Sequence, residues 1–139
     1  MRAFITGSNG FLGTWLTQRL VGRGDFVRCL VRKNSDTWGL KGLDVEVVEG
    51  DVTAPQTLAP LMHGIDVVFH LAGVRRASER DAFFEVNSEG TRNVCVTSGG
   101  QRDHFHRNHR GPGDHPLILA HFFAPAVSAG GAQGFSARR

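Results

Sequence analysis

Apolar residues in the first two thirds of the chain fall into short runs whose period switches back and forth. Ala3-Phe4-Ile5 is a compact run, suited to a strand buried on both faces. After a glycine-rich interruption, Leu12, Trp15, Leu16 and Leu20 recur at helical spacing. That predicts an amphipathic helix from Phe11 to Val21, with those four side chains on its buried face. Gly22-Arg23-Gly24 is its stop signal. Phe26 to Val31 (FVRCLV) predicts a second strand, apolar except for Arg28, and Val45 to Val48 a third. Thr53 followed by Pro55 signals a short helix over Pro55 to Met62, ended by His63-Gly64. Ile65 to Leu71 predicts a fourth strand, and Phe83 to Val94 opens a further helix. Strands alternating with helices predict an α/β, Rossmann-like doubly wound parallel sheet. It is truncated at about four strands in the order 3-2-1-4, with the fourth expected as an exposed edge.

The interruption, Thr6 to Gly13 (TGSNGFLG), carries the chemistry. Gly7 lets the chain leave the strand in a tight turn. Gly10, without a Cβ, allows a pyrophosphate to approach the backbone, and Gly13 lets the helix pack closely on the sheet. The amide N–H groups and positive dipole end of the helix then face the phosphates. Past the second strand, about 20 positions after the glycine turn, an acidic residue would accept from a ribose 2′-hydroxyl and select NAD. Arg32, Lys33, Asn34 and Ser35 stand there instead. A guanidinium and an ammonium beside a hydroxyl suit a 2′-phosphate, so NADP is the preferred cofactor and NAD the alternative.

Four motifs follow one another: T-G-x-x-G-x-x-G at Thr6 to Gly13, GDVT at Gly50 to Thr53, HLAG at His70 to Gly73, and V-N-x-x-G-T-x-N-V from Val86 to Val94. Together they resemble the extended short-chain dehydrogenase/reductase family, the NAD-dependent epimerases, dehydratases and dihydroflavonol-reductase-like enzymes, over about residues 1 to 97. The resemblance implies a site. Gly7, Asn9, Gly10, Phe11, Leu12 and Gly13 would meet the phosphates and Arg32 the 2′-phosphate. Asp51 and Val52 would hold adenine, while Leu71, Ala72 and Gly73 line the inner ribose. It further implies that Asn87 orders the backbone around the site, that Gly90 and Thr91 let their helix pack on the sheet, and that His70 is no proton-transfer group. The GDVT turn reads equally as a capping turn. Val74 to Arg80 reads as a polar loop crossing the top of the site.

The family's reaction uses a Tyr-x-x-x-Lys pair, the tyrosine exchanging a proton with substrate while hydride moves at the nicotinamide. This chain has no tyrosine, and its lysines are Lys33 and Lys41, so no catalytic residue is assigned. Ser98 lacks the strand end that precedes the family's serine. From residue 98 to 139 the text turns to Arg, Gly, Ala, His and Pro without period, the composition that a shifted reading frame of GC-rich DNA produces. Residues 1–97 therefore form the incomplete NAD(P)-binding domain, and 98–139 an irregular tail, frameshifted or disordered. His104, His106 and His109 lack the cysteines or carboxylates of a defined metal site, and none is assigned.

Composition adds limits. At 139 residues, 40% hydrophobic and 21% charged, the chain suits one folded domain. No run approaches the ~20 apolar residues of a membrane span, and Met1-Arg2 leads straight into a strand, so a cytoplasmic location is expected. The net charge of +3 is too modest to argue for nucleic acid. Cys29 and Cys95 lack metal spacing and read as buried thiols. The expected partner is a dinucleotide, with a small-molecule substrate only where a second half completes the pocket.

Overall fold

The computed structural model describes residues 1–74 and 83–99, and the backbone of a strand at 117–120. The loop from 75 to 80 and the histidines His104, His106 and His109 lie outside the described residues.

Strands β1 (Arg2–Thr6), β2 (Phe26–Val31), β3 (Glu46–Glu49) and β4 (Val67–His70) pair in parallel in the order β3-β2-β1-β4. Residues of β1 alternate between two cores. Ala3 and Ile5 join Leu20, Val27, Cys29, Val31 and Leu40 on one face. Phe4 joins Leu30, Leu58, Met62, Ile65, Val68 and Val94 on the other. The unbroken apolar run Ala3-Phe4-Ile5 is the expected consequence of burial on both faces. Arg28 is the exception in β2. Its Nη1 donates to the carbonyl oxygens of Leu61 (2.6 Å) and His63 (3.3 Å), and its Nε pairs with Glu46 (2.8 Å), so the guanidinium is satisfied beside the core.

Helix α1 (Phe11–Gly22) ends as the glycine signal predicts. Gly24 takes φ +83°, the Gly24 N–H donates to Val21 O and the Asp25 N–H to Leu20 O, the paired bonds of a Schellman cap. Its buried face differs from the expected one. Gly13, Thr17 and Leu20 are buried, whereas Leu12 is 43% and Trp15 55% exposed. Close approach to the sheet favours small residues there, and the Thr17 hydroxyl lies 3.8 Å from the Cys29 sulfur.

Three other expectations need correction. Pro55 to Met62 is not one helix but two 3₁₀ turns, Pro55–Thr57 and Ala59–Met62. Pro60 has no N–H to continue an α-helical ladder. The helix expected from Phe83 is not α-helical throughout, since a π-helical turn, Glu85–Glu89, precedes α2 (Gly90–Thr97). Finally, β4 is not an edge. A fifth strand, β5 (Leu117–Ala120), pairs with it in parallel, matching Val67 to Leu117 and His70 to Ala120. Covering an open edge in this way satisfies its backbone groups.

Candidate functional site

The turn between β1 and α1 is built by collisions that only glycine avoids. At Gly7, φ is +70°, and a Cβ would sit 2.7 Å from Leu71 C and O and Ala72 N. At Gly13 a Cβ would strike the Gly7 carbonyl oxygen and lie 2.6 Å from Ser8 Cα. These two glycines press the turn against the end of β4 and fold it back on itself. Gly10 differs, since its absent Cβ would approach only the Gly7 oxygen, at 3.2 Å. That side is open. Gly10 also stands at the N-terminal cap of α1, where no side chain caps the helix and no acidic residue occupies the first turn. The positive end of the helix dipole is therefore left uncompensated toward the opening.

The carboxyl ends of β1 to β4 surround a cleft of about 280 Å³, near the lower end of the roughly 300–1,000 Å³ of ligand pockets. Nine of the twelve residues expected at a cofactor line it: Gly7, Asn9, Gly10, Arg32, Asp51, Val52, Leu71, Ala72 and Gly73. Phe11, Leu12 and Gly13 do not. Phe11 is 90% exposed, Leu12 is largely exposed and Gly13 is packed inside the turn, so only backbone could serve from these positions. Leu30, Val31, Ser35, Gly50, Thr53, Val74, Glu85 and Val86 complete the wall. Ser35 was legible from the basic loop. Glu85 and Val86 were not, because they arrive from a helix far along the chain.

Arg32 and Ser35 flank a tight turn closed by the Ser35 N–H donating to Arg32 O (3.0 Å). Asn34 has φ +60° at its third position, which side-chain amides tolerate. Lys33 is exposed and outside the cleft wall. Asp51 closes its own turn rather than capping a helix, since the 3₁₀ turn that follows starts from Ala54 and has no side-chain cap. Its Oδ1 accepts from both the Thr53 N–H and the Thr53 hydroxyl, each at 2.9 Å. The second carboxylate oxygen has no such duty.

Behind the cleft, one polar chain locks the loops together. Thr91 donates its single hydroxyl proton to Asn87 O (2.8 Å), so it accepts from His70 Nε2–H (2.9 Å). His70 Nδ1 then accepts from the Thr6 hydroxyl (2.7 Å), whose oxygen in turn takes the Ala72 N–H (3.2 Å). Asn87 clamps Val74 with both ends of its amide, at 2.9 and 2.8 Å, and Asn93 donates to Val52 O (2.9 Å). Every polar residue of the V-N-x-x-G-T-x-N-V segment except Ser88, Glu89 and Arg92 thus holds a cleft loop or the strand beneath it. His70 is 4% exposed, and burial lowers its pKa to about 4. It is a neutral spacer with a fixed tautomer, and both nitrogens are used. Ser98 is equally structural, donating to the carbonyl oxygens of Val94 and Cys95 at the end of α2. The thiols of Cys29 and Cys95 are pushed up by burial and are not activated.

Among the described residues, no group of three His, Cys, Asp or Glu could hold a metal ion, and no helix is long and apolar enough to cross a membrane. The cleft instead offers backbone donors, a guanidinium, a hydroxyl and apolar walls. Those suit a ligand with both anionic and flat apolar parts.

Residues 3–104 match the NAD dependent epimerase/dehydratase family. The sterol demethylase protein B of Methylococcus capsulatus is 35% identical over 94 residues, covering 66% of this chain and 29% of its own. The 4-hydroxy-2-methyl-3-oxo-4-farnesyl-3,4-dihydroquinoline-1-oxide ketoreductase of Stigmatella aurantiaca is 37% identical over 103 residues, or 73% of this chain and 31% of its own. The chain thus spans less than a third of the length of these curated relatives. Among solved structures, the Bordetella bronchiseptica enzyme WbmG, crystallised with NAD and UDP, superposes with a TM-score of 0.64. Identity to it is 24%, over 72% of this chain and 34% of that one, a likeness of fold.

Proposed function

The chain belongs to the NAD-dependent epimerase/dehydratase family, and from that membership we propose that it binds a nicotinamide dinucleotide, NADP in preference to NAD. The observation that carries this reading is the open, uncapped start of α1 at Gly10, facing a cleft that Arg32 and Ser35 also line. The diphosphate would lie against Gly7 and Gly10, the backbone of Asn9, and the backbone N–H groups of Phe11, Leu12 and Gly13. Adenine would sit between Asp51-Val52 and Val86, with the free Asp51 oxygen able to accept from its amino group. The inner ribose would rest on Leu71, Ala72 and Gly73. When bound, the nicotinamide supplies hydride chemistry; the chain's own residues bind, orient and shield it.

Calorimetric titration with NADP⁺ and NAD⁺ tests the preference. Wild type should bind NADP⁺ more tightly, through charge-assisted bonds from Arg32 to the 2′-phosphate. Arg32→Asp should lower NADP⁺ affinity about 10- to 100-fold, the effect of losing one hydrogen bond to a charged group, and leave NAD⁺ binding nearly intact. Equal wild-type affinities for the two would remove the assignment.

Turnover is a separate matter. With no tyrosine in the chain, no phenol can exchange the substrate proton, a contribution of about 10²- to 10⁴-fold in such reactions. The 139-residue chain with NADP⁺ or NADPH should leave the nicotinamide absorbance flat across sugar nucleotides and ketones. Turnover that copurifies with the chain would show a different acid–base group at work. A binding role without chemistry, such as reporting NADP levels to a partner, is compatible with the same site.

A further inference from the structure

Asn9 lines the cleft, and its side chain is also engaged outside the glycine turn. Its Nδ2 donates to the carbonyl oxygen of Asp36 at 3.0 Å, joining the glycine turn to the loop after β2 across 27 residues of sequence. That loop has few other holds. Upstream it leaves β2 at Val31, and among the described residues it is fixed again downstream where Gly39 comes against the Thr14 side chain and Leu40 is buried. Between those points, Arg32, Lys33, Asn34 and Asp36 are exposed. The internal bonds, Ser35 N–H to Arg32 O and Trp38 N–H to Asp36 Oδ1 (2.8 Å), shape the loop without tying it to the rest of the protein. Asn9 supplies the tie, next to the two residues, Arg32 and Ser35, that the loop contributes to the cleft wall.

We propose that Asn9 is a positioning residue for cofactor selectivity: its amide holds the Arg32–Asp36 turn over the cleft, and so sets the advantage of a 2′-phosphorylated nucleotide over one bearing a 2′-hydroxyl. This rests on the dinucleotide reading above. It adds that the side chain acts on the loop rather than on the diphosphate, which both nucleotides share. Releasing the tie lets the guanidinium and the Ser35 hydroxyl move away from the wall. A ligand without the 2′-phosphate loses little by that.

Asn9→Ala in the full chain separates the possibilities. Asn9 is exposed, so the thermal transition should match wild type. NADP⁺ affinity should fall about 3- to 10-fold while that for NAD⁺ stays within about 2-fold, in keeping with loss of one solvent-exposed hydrogen bond. An equal fall for both nucleotides would place Asn9 at the diphosphate and overturn the proposal, as would no change in either. A second measurement needs no ligand. Trypsin cleavage after Arg32 and Lys33, followed by mass spectrometry against cleavage after Arg19 within α1, should speed up in Asn9→Ala because the turn opens more often. Unchanged cleavage would show that the tie does not hold the loop, whatever the chain binds. Faster cleavage in a chain that binds neither nucleotide would sink the dinucleotide reading and the selectivity role together, leaving only a tether.

Discussion

Gly13→Ala will destabilise the chain by more than about 3 kcal/mol, the range of severe overpacking, and will abolish nucleotide binding. The new methyl would strike the Gly7 carbonyl oxygen and stand 2.6 Å from Ser8 Cα and 2.8 Å from Gly7 C. All three are backbone atoms of the turn, so no side chain can swing aside. Either α1 shifts off the sheet or the turn opens, and both displace Gly10 from the cleft wall. Two other glycines calibrate the effect. Gly24 has nothing within 4 Å of its virtual Cβ but sits at φ +83°, so Gly24→Ala should cost only the left-handed backbone penalty of roughly 1–2 kcal/mol. Gly22, in α1 with ordinary φ and nothing within 4 Å, should gain up to about 1 kcal/mol as alanine, from helix propensity and a less flexible unfolded chain. Urea denaturation of the three variants gives the order directly. If Gly13→Ala unfolds no more easily than Gly24→Ala, the collision is relieved by movement and the turn is not the rigid element described.

The parts of this architecture legible from the amino-acid text are those where one residue type has one physical use. The β1–turn–α1 unit is legible because Gly7, Gly10 and Gly13 are spaced as a phosphate turn requires. The bounds of β2 fall at Phe26 and Val31, bracketed by the Gly24 cap and the basic loop. β3 slips by one residue, since its edge position leaves Val47 46% exposed and weakens the apolar signal. The buried face of α1 departs from its hydrophobic periodicity for a related reason. Hydrophobic periodicity seeks large apolar residues, but a helix pressed close to a sheet buries Gly13 and Thr17 and leaves Trp15 outside, where its ring stacks with Arg19. Pro60, inside the expected helix over Pro55 to Met62, is the local signal for its break, because proline cannot extend an α-helical ladder. β5 had no legible turn chemistry, and its pairing comes from a long-range contact that local pattern does not encode.

The candidate site divides along the same line. Loops that follow strands were found, because ligands of open parallel sheets gather at the carboxyl ends. The role of Asn9 was not, because its partner is a backbone carbonyl, and a carbonyl has no sequence signature. The linkage through His70 was hidden for the opposite reason. Thr6, His70 and Thr91 are each common residues with bland readings, and only the fold brings their side chains into one line.

That line gives the protein an acid limit. His70 is neutral in the fold, with Nδ1 accepting from Thr6 and Nε2–H donating to Thr91, and burial lowers its pKa from 6.5 to about 4. In the unfolded chain the imidazole takes a proton near its ordinary pKa, so between the two values the unfolded state binds more protons. Stability therefore rises with pH across this window. It is fully present above about pH 6.5 and is lost as pH falls toward 4, by about 3 kcal/mol in all. Protonation would also turn Nδ1 into a donor facing the Thr6 hydroxyl. Thr6 can then no longer donate to it, and the bond chain to Ala72 must rearrange. The Arg23 side chain beside Asp25, aided by the Met1 ammonium, depresses that carboxyl, whose contribution is lost at lower pH, below its ordinary 3.8, so the two effects separate. Denaturant midpoints measured from about pH 7.5 down to about pH 4 on wild type and His70→Gln provide the check. The variant should be weaker at neutral pH, because glutamine reaches Thr91 but leaves Thr6 without its acceptor. Across the window its stability should be flatter, since the titrating ring is gone and every other histidine is common to both chains. Parallel pH slopes for the two proteins would show that His70 does not set the acid limit.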